Sequence, residues 1–185
     1  MNQISLTGKT NLITDKYLTV CLNPVLQKTI VLERLWENEV NRSREYYFDA
    51  SGKGVNTCRV LTELGEDAIL ISQAGGQHKD LFLKMTEKGG VKCEWVDSHS
   101  EIRFCYTLLN KAAGTTTEIV EEAQPVAAET EYAIYTLFLK RINDAHTLII
   151  TGTKAAGFSA KLYPEMVKTA KERGIKVILD LKGDD

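Results

Sequence analysis

Apolar positions along this chain fall into short runs and helical stripes that alternate. Residues 17–22 form a short apolar run closed by Asn23-Pro24, which predicts a buried strand. Residues 28–32 and 43–48 are β-rich and are joined by a polar stretch around Glu37-Asn38-Glu39. Residues 54–64 carry a helical stripe, with Val60, Leu61 and Leu64 on one face and Gly65 as the stop. A buried-type strand over 68–72 follows, then a second helix over 80–88 closed by Gly89-Gly90. Residues 91–96, 104–110 and 116–120 read as strands, and the turn Lys111 to Gly114 makes the last two a hairpin.

The second half keeps the alternation. A helix over 130–142 places Tyr132, Tyr135, Phe138, Leu139 and Ile142 on one side. A strand over 147–151 precedes a helix starting near Ser159, with Pro164 in its first turn and Met166, Val167 and Ala170 facing inward until Gly174. The last strand covers 176–181. Alternating strands and helices predict an α/β fold with a mainly parallel sheet covered by helices. The β-rich pieces at 28–48 and 104–120 have no helix inside them and read as a small second sheet inserted into the α/β body. Residues 1–16 are polar, lack the apolar centre of a signal peptide and read as a tail ahead of one domain at 17–185.

Composition narrows the partners. The 185 residues are enough for a full core, and a formal net charge of −2 argues against nucleic acid, which needs a concentrated basic face. No uninterrupted apolar run approaches membrane-spanning length, so no membrane partner is expected. Cys21, Cys58, Cys93 and Cys105 form no CxxC pair, and no histidines stand at ligand spacing, so no metal site is expected. Free thiols fit a reducing cytoplasm.

The chemistry centres on Ser51-Gly52-Lys53-Gly54-Val55-Asn56, which leads straight into a helix. Gly52 and Gly54 can adopt positive φ and let a ligand approach the main chain, while helix-opening amides and the Lys53 ammonium favour an anion. A phosphorylated small molecule suits such a turn; a tight turn with a solvated lysine explains it equally well. Asn23 and Gln27 follow the first strand, on the side where open α/β sheets bind ligands, although Asn23-Pro24 taken alone is more simply a turn. Arg103 could pair with a phosphate, but a surface salt bridge is the commoner role. Thr151-Gly152-Thr153 is another strand-end position, equally well read as a plain connection. Glu118, Glu121, Glu122, Asp184 and Asp185 read as solvated carboxylates, and His78, His99 and His146 show no catalytic spacing. A dinucleotide fingerprint is set aside, because Thr57 stands where its third glycine belongs.

Taken together these pieces resemble the PfkB family of carbohydrate kinases. Leu22-Asn23-Pro24-Val25-Leu26-Gln27-Lys28-Thr29 is similar to the family's LNPxxDxT opening, and residues 51–56 to its GGKGxN signature. Gly75-Gly76, Ile102-Arg103, Gly114-Thr115-Thr116-Thr117-Glu118-Ile119, Thr151-Gly152-Thr153 and Ile178-Leu179-Asp180 match later elements in order. The LNP and TEI pieces resemble the branch of 1-phosphofructokinase and tagatose-6-phosphate kinase.

The resemblance implies a ribokinase-like three-layer sandwich, incomplete in this chain, with the inserted strands as a lid that also makes a homodimer contact. It implies a substrate of the fructose 1-phosphate, fructose 6-phosphate or tagatose 6-phosphate type, with ATP and Mg2+ serving the complete enzyme. Lys53 and Arg103 would then hold the substrate's phosphate, Asn56 and Gly52 would line the sugar, and Gln27 would stand at the family's sugar-binding aspartate. Three departures matter. Gln27 replaces that aspartate with a neutral amide, and Ser51 replaces a glycine. The family's GAGD element with its catalytic aspartate, its NxxE motif and its nucleotide-binding loops have no counterpart here, so no catalytic residue is assigned. The chain is expected to be the substrate-side part of a kinase, inactive alone, to self-associate through open sheet edges, and to bind ATP and Mg2+ poorly. The alternative is a non-catalytic remnant that binds a sugar phosphate or dimerises.

Overall fold

The computed structural model describes residues 16–182. The expected tail lies outside them apart from Lys16, which opens the first strand, and Asp184 and Asp185 also lie outside. The described elements run β1 (Lys16–Cys21), β2 (Val25–Leu32), β3 (Glu45–Ser51), α1 (Lys53–Glu63), β4 (Asp67–Ala74), α2 (Lys79–Lys88), β5 (Lys92–Asp97), β6 (Arg103–Asn110) and β7 (Thr115–Val120). Then come α3 (Thr130–Ile142), β8 (Thr147–Thr151), α4 (Leu162–Glu172) and β9 (Lys176–Asp180).

Two sheets result. Sheet A is parallel, with order β5-β4-β1-β8-β9; sheet B is mixed, with order β3-β2-β6-β7. In sheet B, β2 runs antiparallel to β3 and parallel to β6, and the β6–β7 hairpin is antiparallel. This is the α/β architecture expected from the alternating pattern, with a smaller β layer inserted into it.

Strand alternation sorts sheet A into two faces, each covered by a helix pair. Leu18, Val20, Ile71, Leu148 and Ile150 pack with Ile134, Phe138 and Ile142 of α3 and Leu162, Met166 and Ala170 of α4. Cys21, Ala68, Leu70 and Ala74 pack on the other face with Val55 and Cys58 of α1 and Phe82 of α2. Three layers follow from that split. Sheet A is not closed: β5 and β9 are its edges among the described residues, and Ile178 and Leu179 on β9 are exposed.

Several boundaries and faces differ from expectation. Strand β2 begins at Val25, three residues early, because Val25 and Leu26 are buried and pair with both β3 and β6. On α1 the buried stripe is Gly54, Val55 and Cys58, while Val60 and Leu64 are exposed. The glycine lets this helix sit closest to β1 at its first turn, which sets the face. On α3 the row Thr130, Ile134, Phe138, Ile142 repeats every fourth residue and is buried; Tyr132 points to solvent. The final helix starts at Leu162 rather than Ser159, with Pro164 still in its first turn.

Candidate functional site

Strand order reverses around β1. Counted from β1, the chain first builds outward through β4 and β5, then returns to the opposite side with β8 and β9. The crevice beyond the carboxyl ends of β1 and β8 is therefore the switch point at which open parallel sheets receive ligands. Two loops meet there, and Asn23 Nδ2 after β1 donates to Thr153 Oγ1 after β8 at 3.1 Å. A cleft of about 180 Å³ opens at this place, lined by Asn23, Gly52, Lys53, Arg103, Thr151 and Lys182 among others. A larger groove of about 570 Å³ lies near the amino end of β5 against α2, at the sheet's edge and away from the carboxyl ends of the strands. The smaller cleft gathers the chemistry.

Gly52 and Gly54 shape its wall. Gly52 has φ 124°, and a Cβ there would come 2.9 Å from Cys21 Sγ. Gly54 is constrained by space alone: a Cβ would meet Cys21 Cβ at 2.7 Å and the Val20 carbonyl oxygen at 2.8 Å. Both glycines let α1 begin directly over the end of β1. That helix has no side-chain cap and no acidic residue in its first turn, and it opens on Lys53. A cation at a helix N-terminus adds to the positive end of the macrodipole, so the potential at this end is positive. The amides of Gly54 and Val55, expected to face a ligand, lie against the Cys21 thiol. Burial pushes that thiol's pKa up, against the pull of these amides.

Sheet B brings in Arg103 at the start of β6. Its Nη1 donates to the Glu121 carbonyl at 3.1 Å, and the Glu121 carboxylate accepts the Phe104 amide at 2.9 Å. Glu101, just ahead, accepts the amides of Gln77 at 2.8 Å and His78 at 3.0 Å, with the His78 ring at 2.9 Å. This ties the loop after β4 to the entry of β6 and fixes where Arg103 stands. Burial works to raise the Glu101 pKa, and these three contacts outweigh it, so it lies below the usual glutamate value. Two polar atoms at the cleft, Asn23 Oδ1 and Arg103 Nε, are buried with no hydrogen-bond partner among the described residues. Such atoms are costly unless a ligand completes them.

Of the residues singled out in the sequence, the structure gathers Asn23, Gly52, Lys53 and Arg103 around one cleft, with Thr151-Gly152-Thr153 opposite. The other two do not line it. Gln27 Nε2 donates to Thr107 Oγ1 at 2.8 Å, linking β2 to β6. Asn56 Nδ2 donates to Ser51 Oγ at 3.1 Å while its Oδ1 accepts from Arg59 Nη1 at 3.0 Å.

Asp180, singled out only as part of a strand motif, closes the ring. Its Oδ2 accepts from Lys53 Nζ at 3.0 Å and from Thr151 Oγ1 at 3.1 Å. The Lys53 hydrogen bond first, then that of Thr151, holds the Asp180 carboxyl below the usual aspartate range. Among the described residues no group of three or more His, Cys, Asp or Glu side chains converges as a metal site.

A parallel three-layer sandwich with a cleft at its switch point, flanked by an inserted sheet, is the ribokinase-like architecture that the resemblance implied. A family model described as "pfkB family carbohydrate kinase" matches residues 22–185, and the chain belongs to that family. It is 30% identical over 166 residues to a tagatose-6-phosphate kinase of Staphylococcus epidermidis, a match covering 90% of this chain and 53% of that protein. The chain thus spans about half the length of the curated relatives it matches. Its fold is similar to that of phosphofructokinase-2 from Escherichia coli in complex with fructose-6-phosphate, at TM-score 0.82 and 20% identity, covering 92% of this chain and 56% of that one. A possible 1-phosphofructokinase from Thermotoga maritima superimposes at TM-score 0.85 and 22% identity, covering 90% and 54%.

Proposed function

We propose that this cleft is the acceptor site of an ATP-dependent sugar-phosphate kinase. The observation that carries the reading is the convergence of Lys53, Arg103, Asn23 and the Gly52 backbone at the switch point, with two buried polar atoms left unpartnered. Lys53 and Arg103 hold the phosphate as charged donors, Arg103 through its planar guanidinium. Asn23 and the Gly52 main chain meet the sugar. Asn56 contributes by fixing Ser51 and Arg59 beside the turn, and Gln27 by holding β2 to β6. A fructose phosphate or tagatose 6-phosphate is the substrate class, by family membership and by the tagatose-6-phosphate kinase relative.

In the whole enzyme a general base would take the proton of the sugar hydroxyl as its oxygen attacks the γ-phosphate of ATP and ADP leaves, and Mg2+ when bound would supply stabilisation of the transferring charge. On this reading the share of these residues is to bind and orient the acceptor through Lys53, Arg103 and Asn23. Positioning and charge stabilisation supply most of such catalysis. Calorimetry is therefore expected to show fructose 6-phosphate binding by the 185-residue chain, with no ATP-dependent product in a coupled assay. Absence of binding removes the acceptor-site reading; measurable turnover removes the assignment of a binding role alone.

The reading extends to a cytoplasmic homodimer joined through sheet B, where Tyr46, Tyr47, Ile119 and Val120 are exposed. Among the described residues no helix is long and apolar enough to cross a membrane. Light scattering is expected to give the mass of two chains, and Tyr47→Lys with Ile119→Lys to shift it to one. A parent protein that runs as a monomer at high concentration ends this part of the proposal.

A further inference from the structure

The ion pair between Lys53 and Asp180 joins residues 127 apart in sequence, and it sits on the lysine assigned to the substrate's phosphate. The position of Asp180 is fixed by the sheet. It pairs in register with Thr151 across β8 and β9, and its carbonyl accepts the Gly152 amide at 3.0 Å. The buried Thr151 hydroxyl then aims the carboxylate at Lys53 Nζ. The carboxylate thus makes with Lys53 the charge-assisted contact that a phosphate oxygen would make. Both side chains are more than half exposed, at 57% for Lys53 and 63% for Asp180, so water screens the pair and a ligand can displace it. Asp180 is ionised at neutral pH as any exposed aspartate is, and the Lys53 contact lowers its pKa further.

We propose that Asp180 is a built-in competitor for Lys53, an internal carboxylate that an anionic sugar must displace and that a neutral sugar does not contend with. This rests on the acceptor-site reading above and adds to it a residue that sets the affinity. Among the described residues no carboxylate pairs with the remaining positive groups of the cleft, Arg103 and Lys182, and Arg103 spends one guanidinium nitrogen on a carbonyl. Competition at Lys53 therefore acts on one of the site's cations and leaves the others to steer the anion. It weakens binding of every anionic ligand by a similar factor, so the parent site favours sugar phosphates less than its cations alone would.

Removing the carboxylate tests this directly. Fructose 6-phosphate and neutral fructose are titrated by calorimetry into the parent chain, Asp180→Asn and Asp180→Ala at one ionic strength, with melting curves to verify folding. The expected result is roughly three- to tenfold tighter fructose 6-phosphate binding in both variants, a range set by weak exposed pairs together with relief of repulsion. Fructose is expected to show no matching gain. Unchanged or weaker fructose 6-phosphate binding in the variants overturns the competition while leaving the acceptor site standing. Equal tightening toward fructose also overturns it, since loosening of the loop would then be the cause. If neither parent nor variants bind fructose 6-phosphate, the acceptor site itself is refuted, and the competitor with it.

Discussion

Lys53→Ala is expected to weaken fructose 6-phosphate binding by roughly ten- to thirtyfold, the lower part of the range for a hydrogen bond to a charged group, because the ammonium is partly exposed. Two effects act in the same direction. The ligand loses a cation at the opening of α1, and Asp180 loses the partner that neutralises it, leaving a bare carboxylate beside the cleft. Lys53→Arg should recover part of the loss, since charge is kept while geometry changes. The melting temperature should barely move in either variant, because the exposed pair contributes little to folding. Calorimetry that finds the alanine variant binding as tightly as the parent would place the phosphate elsewhere.

Gly54→Ala is expected to damage fold and site together. The added carbon would lie 2.7 Å from Cys21 Cβ and 2.8 Å from the Val20 carbonyl oxygen, and a strand backbone in the middle of sheet A cannot retreat. Helix α1 has to lift off β1, which disturbs the packing of Val55 and Cys58, both fully buried. Overpacking of this kind costs about 1–3 kcal/mol. For a chain of this size that is a fall of roughly 3–10 °C in melting temperature. Gly52 and Lys53 move with the helix, so ligand affinity should drop as well. A variant that melts within a degree of the parent would show that α1 is not seated on β1 in this way.

These predictions separate what is local in the sequence from what is not. Gly52-Lys53-Gly54 was legible as a turn suited to an anion, though a tight turn with a solvated lysine explained it equally well until its neighbours were read with it, and the β6–β7 hairpin was legible through the turn ending at Gly114. Runs such as 147–151 are apolar enough to name buried strands without any partner in view. Which strands neighbour each other is a different matter. The placement of β1 between β4 and β8, and the parallel pairing of β2 with β6, depend on contacts across long separations that no local pattern encodes. Helix faces failed for a related reason: Val60 and Leu64 are apolar, but the close seat of Gly54 turns the Val55–Cys58 side inward. The site shows the same division. Asn23, Lys53 and Arg103 were legible as members of a motif set. The carboxylate that engages Lys53 was not, since only the β8–β9 register brings Asp180 beside Thr151.

The connections between the two sheets are short where they pass the cleft. Three residues, Leu22 to Pro24, lead from β1 into β2, and the single residue Gly52 leads from β3 into α1. Those same connectors hold Asn23 and Gly52. Sheet B therefore cannot tilt away from sheet A without carrying ligand contacts along with it. On the acceptor-site reading proposed above, with sheet B as its cover, escape of a bound sugar and movement of sheet B become one event. Stiffening either connector would lengthen the bound lifetime more than it would change the rate of capture.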